Sequence, residues 1–195
     1  MKLLIPINIP NVLSLYRLFS FPIVLGIALT GYEEIFVVLL CINLITDILD
    51  GLIARLFNMK TEIGARLDSI ADLGTYILAI LGIFLFKYDD FAPHMLSFGA
   101  FIFLFVFSYI LSLIKFGRFP SLHLYSWKIG GYIQGFFFFV LFVWGFNLPF
   151  YYLMVSWGIV AFVEHILIQL MIPEMISNAR GLYWVIKAKR SAQLK

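Results

Sequence analysis

Residues 46–72 read TDILDGLIARLFNMKTEIGARLDSIAD. Four of the chain's six aspartates, Asp47, Asp50, Asp68 and Asp72, lie in this stretch, and long apolar runs flank it on both sides. A carboxylate costs about 2.5–3.5 kcal/mol at the centre of a membrane helix and less near its end, so it persists there only with a partner or a function. The polar segment Asn58–Thr61 predicts a turn between two helices. Asp47 and Asp50 then share one face of the first helix at i, i+3, and Asp68 and Asp72 share one face of the second at i, i+4. A turn this short predicts antiparallel helices with the two acidic faces opposed.

The rest of the chain decides what surrounds that hairpin. Its 195 residues are 63% hydrophobic and 13% charged, with 22 Phe and 10 Tyr, which excludes an ordinary soluble domain. Six apolar runs, roughly 11–30, 35–54, 66–86, 91–114, 127–146 and 148–171, are long enough to span a bilayer. No segment alternates apolar and polar residues as a barrel strand does. The expected fold is all-α: a polytopic membrane protein with six transmembrane helices and short amphipathic terminal segments. Residues 1–195 are expected to form a single integral membrane domain. Within it, 173–195 form a basic interfacial tail whose NARGLYWVIKAKR mixes aromatic and basic residues. The single cysteine, Cys41, has no internal partner and reads as a small hydrophobe. The N-terminal MKLLIPINIPN lacks the cleavage pattern of a removed signal peptide.

Charge sets the expected orientation. Lys2 and Arg17, then Arg55, Lys60 and Arg66, then Lys115, Arg118 and Lys128, then the tail with Arg180, Lys187, Lys189, Arg190 and Lys195 mark alternate ends as basic. The intervening loops carry Glu33 with Glu34, and Asp89 with Asp90 beside Lys87. Six spans with both termini and the acidic hairpin in the cytosol give this alternation, in a cytoplasmic (inner) membrane.

Four convergent carboxylates without cations repel one another and take up protons. Hard divalent ions relieve both problems, and all-oxygen ligands favour Mg²⁺, Mn²⁺ or Ca²⁺ over zinc. Two such ions clamp phosphoryl oxygens in an in-line displacement. Gly51, Ala54 and Gly64 keep the neighbouring faces small, and Arg55 adds a planar, permanently charged fork suited to phosphate. The set describes a metal–pyrophosphate site.

Asp47-x2-Asp50-Gly51-x2-Ala54-Arg55-x8-Gly64-x3-Asp68-x3-Asp72 matches, at eight fixed positions over 26 residues, the signature of the CDP-alcohol phosphatidyltransferases. The upstream IPNVLSLYRLFSFP and the six spans also resemble that family. The resemblance implies two divalent cations, Mg²⁺ or Mn²⁺, on Asp47, Asp50, Asp68 and Asp72, a cytidine diphosphate site lined by Gly51, Ala54, Arg55 and Gly64, and Asp72 as general base. It also implies a homodimer in the lipid bilayer that transfers a phosphatidyl group from CDP-diacylglycerol to a polar alcohol acceptor and releases CMP. No nucleic-acid partner is expected.

The acceptor stays open at this level. NVLSLYRLFSFP is similar to glycerophosphate- and cardiolipin-type members, yet Leu73 follows Asp72 where those carry Lys. LDSIAD is similar to serine-using members, yet Gly74-Thr75-Tyr76 replaces their Ser-Phe-Gly. Lys115, Arg118 and Lys128, with Arg17, are the candidate acceptor-binding residues. They favour a phosphorylated alcohol such as glycerol 3-phosphate or inositol phosphate. Two other functions compete: transfer from a soluble CDP-alcohol to a lipid hydroxyl, and divalent-cation transport, which Arg55 and Arg66 oppose. Glu164 and His165 are adjacent in the last span, so at most one faces a cavity.

Overall fold

The computed structural model describes residues 8–59, 61–117, 124–174 and 179–193. Eight α-helices occur among them: α1 (Ile9–Leu29), α2 (Glu33–Leu56), α3 (Glu62–Phe86), a one-turn α4 (Tyr88–Phe91), α5 (Met95–Phe116), α6 (Tyr125–Trp144), α7 (Leu148–Met171) and α8 (Leu182–Gln193). No strand occurs among the described residues. Six of the helical segments are long and apolar enough to cross a membrane, matching the six runs read from the sequence. Phe19, Ile23, Val38, Phe103, Ile114 and Val160 project outward as a lipid-facing surface requires. The helices fall into two compact units, 1–91 and 92–195.

In the first unit, α1 starts where Asn8 accepts a hydrogen bond from the Asn11 N–H (2.9 Å), with Pro10 in the opening turn where its missing donor costs nothing. The Asn8 side chain also donates to the Met59 carbonyl (3.1 Å), tying α1 to the α2–α3 turn. That turn places Asn58 at φ 54°, a left-handed conformation that Asn tolerates better than most residues. Thr61 then caps α3 by accepting from the Gly64 N–H (2.9 Å). At the opposite end of the unit Lys87 pairs with Glu33 (2.8 Å).

The hairpin expectation needs one amendment. The acidic helices do not mainly face each other: α1 packs along both α2 and α3 and is the larger partner of each. The residues α1 buries explain this. Asn11, Ser14, Arg17 and Ser20 recur every three residues as a polar seam that only polar neighbours can satisfy inside a membrane, and the buried line continues into apolar Val24 and Ala28. Gly74 lets the Phe21 ring approach α3, since a Cβ there would lie 3.2 Å from the ring.

In the second unit α7 packs against α5 and α6. Gly158 leaves room for the Phe101 ring, which a Cβ would overlap. Phe162 collects Phe101, Phe105 and Trp127 at ring distances of 5.2–5.7 Å. Of the aromatic run in α6, Phe137, Phe138 and Phe142 are buried and Phe136 and Trp144 exposed, so it is divided between core and lipid. The tail forms a helix, α8, whose Leu182 and Val185 pack on Leu124, Ile168, Ile172 and Ala179.

Candidate active site

All four aspartates converge on one side chain, Arg17. Its Nη1 donates to Asp47 Oδ1 (2.5 Å) and Asp72 Oδ1 (2.6 Å), and its Nη2 donates to Asp68 Oδ1 (2.7 Å) and Asp50 Oδ2. Each Nη thus bridges α2 and α3, and α1 supplies the cation that joins them. The guanidinium side chain is fully buried. Asp50 is nearly so, at 4%, whereas Asp47, Asp68 and Asp72 keep 40–48% of their side chains accessible. The cluster therefore has a closed wall, made by Arg17 and Asp50, and an open face.

Ser14 supports the closed wall: its hydroxyl reaches Asp50 Oδ2 (3.2 Å) while also bonding the Pro10 carbonyl. One turn deeper, the Ser20 hydroxyl bonds the Arg17 carbonyl (3.0 Å) and lies 3.1 Å from Asn43 Oδ1. Of α1, the sequence singled out only Arg17 as a site candidate. The Asn11, Ser14, Arg17, Ser20 spacing in an otherwise apolar run was the signal for the whole face.

Four carboxylates against one guanidinium carry a formal excess of three negative charges. Asp47, Asp50 and Asp68 each bring one ligand oxygen within 4.8 Å of the others. An all-oxygen donor set of this charge fits hard divalent cations, and a buried cation already sits among the same oxygens. Arg17 Nε, by contrast, is buried and has no hydrogen-bond partner.

The remaining motif residues differ in role. Gly51 and Ala54 follow Asp50 on α2 and are partly exposed. Arg55 is exposed and its Nε donates to the Gly51 carbonyl (2.8 Å), which holds the guanidinium along that small-residue face. Gly64 is buried: a Cβ there would collide with the Asn11 side chain and approach Thr61 Oγ1 to 2.7 Å. Its smallness thus serves the α1–α3 contact and the α3 cap directly.

Of the other candidate acceptor residues, Arg118 lies outside the described residues. Lys115 and Lys128 belong to the second unit. Lys115 Nζ donates to the Gln169 and Leu170 carbonyls (2.7 and 3.2 Å), closing the C-terminal end of α7. Lys128 Nζ lies 5.8 Å from the Tyr125 ring centroid. Both ionisable residues of the last span have partners in that unit. Glu164 accepts from the Leu182 N–H (2.8 Å) at the start of α8 and from the Ser126 hydroxyl. The His165 ring lies tilted against that of Trp127 (centroids 4.5 Å apart) and 3.2 Å from Gln169 Nε2.

The family model described as CDP-alcohol phosphatidyltransferase matches residues 7–182. Among curated proteins, the chain is similar to the CDP-diacylglycerol–glycerol-3-phosphate 3-phosphatidyltransferase of Aquifex aeolicus. That pair is 34% identical over 86 residues, 44% of this chain and 48% of the relative. It is likewise similar to the proteins of that name from Escherichia coli K12, 35% identical over 68 residues, and Salmonella typhimurium LT2, 37% identical over 68 residues. In both of these the match covers 33% of this chain and 37% of the relative. The chain thus spans between a third and a half of the length of these relatives. No solved structure matches it.

Proposed function

The chain belongs to the CDP-alcohol phosphatidyltransferase family, and from that premise we propose that it transfers a phosphatidyl group from CDP-diacylglycerol to the hydroxyl of a polar acceptor, releasing CMP. The observation that carries this reading is the convergence of Asp47, Asp50, Asp68 and Asp72 at one end of a membrane-spanning unit. In this reading those four side chains hold two divalent cations, Mg²⁺ or Mn²⁺. Bound there, the cations neutralise diphosphate charge and make CMP a better leaving group.

The chain's own residues supply the rest. Gly51 and Ala54 leave a low face for the diphosphate, and Arg55, aligned along that face, offers a planar pair of donors to it. Asp72, with the most accessible carboxylate of the four, takes the proton of the acceptor hydroxyl. The acceptor oxygen forms its bond to the phosphorus bearing the lipid as the bond from that phosphorus to CMP breaks. Buried Asp50 holds the closed wall in place.

The reactive end faces the cytosol in this proposal. Arg55 and Arg66 lie at that end of the first unit, while Glu33, Glu34, Asp89 and Asp90 lie at the other. The names of the relatives favour glycerol 3-phosphate as acceptor, in line with the preference for a phosphorylated alcohol, and favour a CDP-lipid over a soluble CDP-alcohol donor. A guanidinium bonded to all four carboxylates argues against their use as a cation path. The homodimer implied by the resemblance is retained as part of the proposal.

The test is product analysis with purified protein, CDP-diacylglycerol and separate acceptors: glycerol 3-phosphate, inositol phosphate and serine. Phosphatidylglycerophosphate as the main product is expected. Turnover with serine alone would overturn the acceptor assignment, and no CMP release with any acceptor would overturn the donor.

A further inference from the structure

Arg17 is placed as no simple anchoring charge would be. Its side chain is fully buried, and its two terminal nitrogens serve four carboxylates, one donor contact to each. Those contacts run through Asp47 Oδ1, Asp50 Oδ2, Asp68 Oδ1 and Asp72 Oδ1. A guanidinium amid four acidic oxygens occupies the position that a hard divalent cation takes in an oxygen-ligand site. The two cations differ sharply in fit. Arg17 brings one positive charge to four negative ones, and its Nε is left without a hydrogen-bond partner. Nearby, in the same seam of α1 and α2, the buried Asn43 Nδ2 is also without one. A buried donor left unpaired weakens the arrangement that contains it.

We propose that Arg17 is a built-in counter-cation that competes with divalent metal for the four carboxylates, and that metal loading displaces it. This deepens the metal reading given above and rests on it. In this role Arg17 keeps α1, α2 and α3 together when metal is scarce, and it weakens metal binding by the strength of the contacts that metal must break. Arg17 thereby sets the divalent-ion concentration at which the site fills. The displaced guanidinium, permanently charged and next to the cluster, is then free to meet another anion.

The test is Mn²⁺ binding, followed by the loss of the free-ion electron paramagnetic resonance signal, to wild-type, Arg17→Lys and Arg17→Gln protein in detergent. Thermal unfolding is measured with and without Mn²⁺ on the same samples. Removing the competing charge should tighten Mn²⁺ binding roughly tenfold or more in Arg17→Gln, by the linkage between a ligand and the state it displaces. Arg17→Lys, with a compact ammonium that bridges fewer oxygens, should fall between. The variants should also unfold earlier than wild type without metal and gain more from Mn²⁺. If Arg17→Gln does not fold, Arg17→Lys decides. Equal or weaker Mn²⁺ affinity in the variants would overturn the inference alone, since Arg17 would then be a partner that the carboxylates keep. Failure of wild-type protein to bind Mn²⁺ would overturn the metal reading, and this inference with it.

Discussion

At the scale of single residues, the four aspartates divide by exposure as well as by helix. Asp50 is sealed between Ser14 and Arg17, whereas Asp72 opens to the accessible face. Loss of charge should therefore act differently at the two positions. Asp50→Asn is expected to weaken CDP-diacylglycerol binding and turnover together, because it alters the wall on which the cluster is built. Asp72→Asn is expected to keep donor binding and lose about 10²–10⁴-fold in rate, the usual cost of removing a general base. Donor binding and single-turnover rates on both variants check this; normal turnover in Asp72→Asn would reduce Asp72 to a ligand. Gly64→Ala should destabilise the fold by about 1–3 kcal/mol, the typical cost of overpacking, because its methyl group meets Asn11 and Thr61. Thermal unfolding reads that change. The identity and convergence of the aspartates were legible in the sequence because i, i+3 and i, i+4 spacing is simple geometry. The partner of Arg17 was not. A long side chain near a helix end reads equally well as an interfacial anchor, and only the packing of α1 against α2 and α3 aims it inward.

At the scale of helices, the six spans were legible because a run of apolar residues must close its own backbone hydrogen bonds in lipid. The arrangement inside the first unit was less so. Hydropathy marks α1 as a span, yet the polar face it buries is a short-period signal inside a long apolar one. Glu164 shows the same limit from the other side. An intramembrane carboxylate reads by default as functional, but this one receives the first free N–H of α8 and the Ser126 hydroxyl. It acts as a cap supplied from another helix. Glu164→Ala should free the start of α8: hydrogen exchange at residues 182–186 is expected to rise, and stability to fall by about 1–3 kcal/mol, the cost of an unsatisfied buried polar group. Unchanged exchange there would mean that the packing of Leu182 and Val185 alone holds the helix. Lys115 poses a similar choice. Because it bonds two carbonyls at the end of α7, Lys115→Ala should lower thermal stability more than it raises the acceptor KM.

Across the chain as a whole, the proposed function joins a membrane-spanning scaffold to chemistry on a lipid substrate. A polytopic helical protein keeps its charged groups near the ends of its spans or paired within it. In the first unit both conditions hold, with the carboxylates and Arg17 grouped at the end that also carries Arg55 and Arg66. In the proposed reaction the diacylglycerol moiety stays in the bilayer while its cytidine diphosphate meets the site from the aqueous side. If the four aspartates work by holding hard divalent cations, this shows in CMP release from CDP-diacylglycerol with glycerol 3-phosphate, followed before and after chelation with excess EDTA and again after adding back Mg²⁺, Mn²⁺ or Zn²⁺. EDTA should abolish turnover, and Mg²⁺ or Mn²⁺, but not Zn²⁺, should restore it. Full activity in excess EDTA would contradict that role of the aspartates.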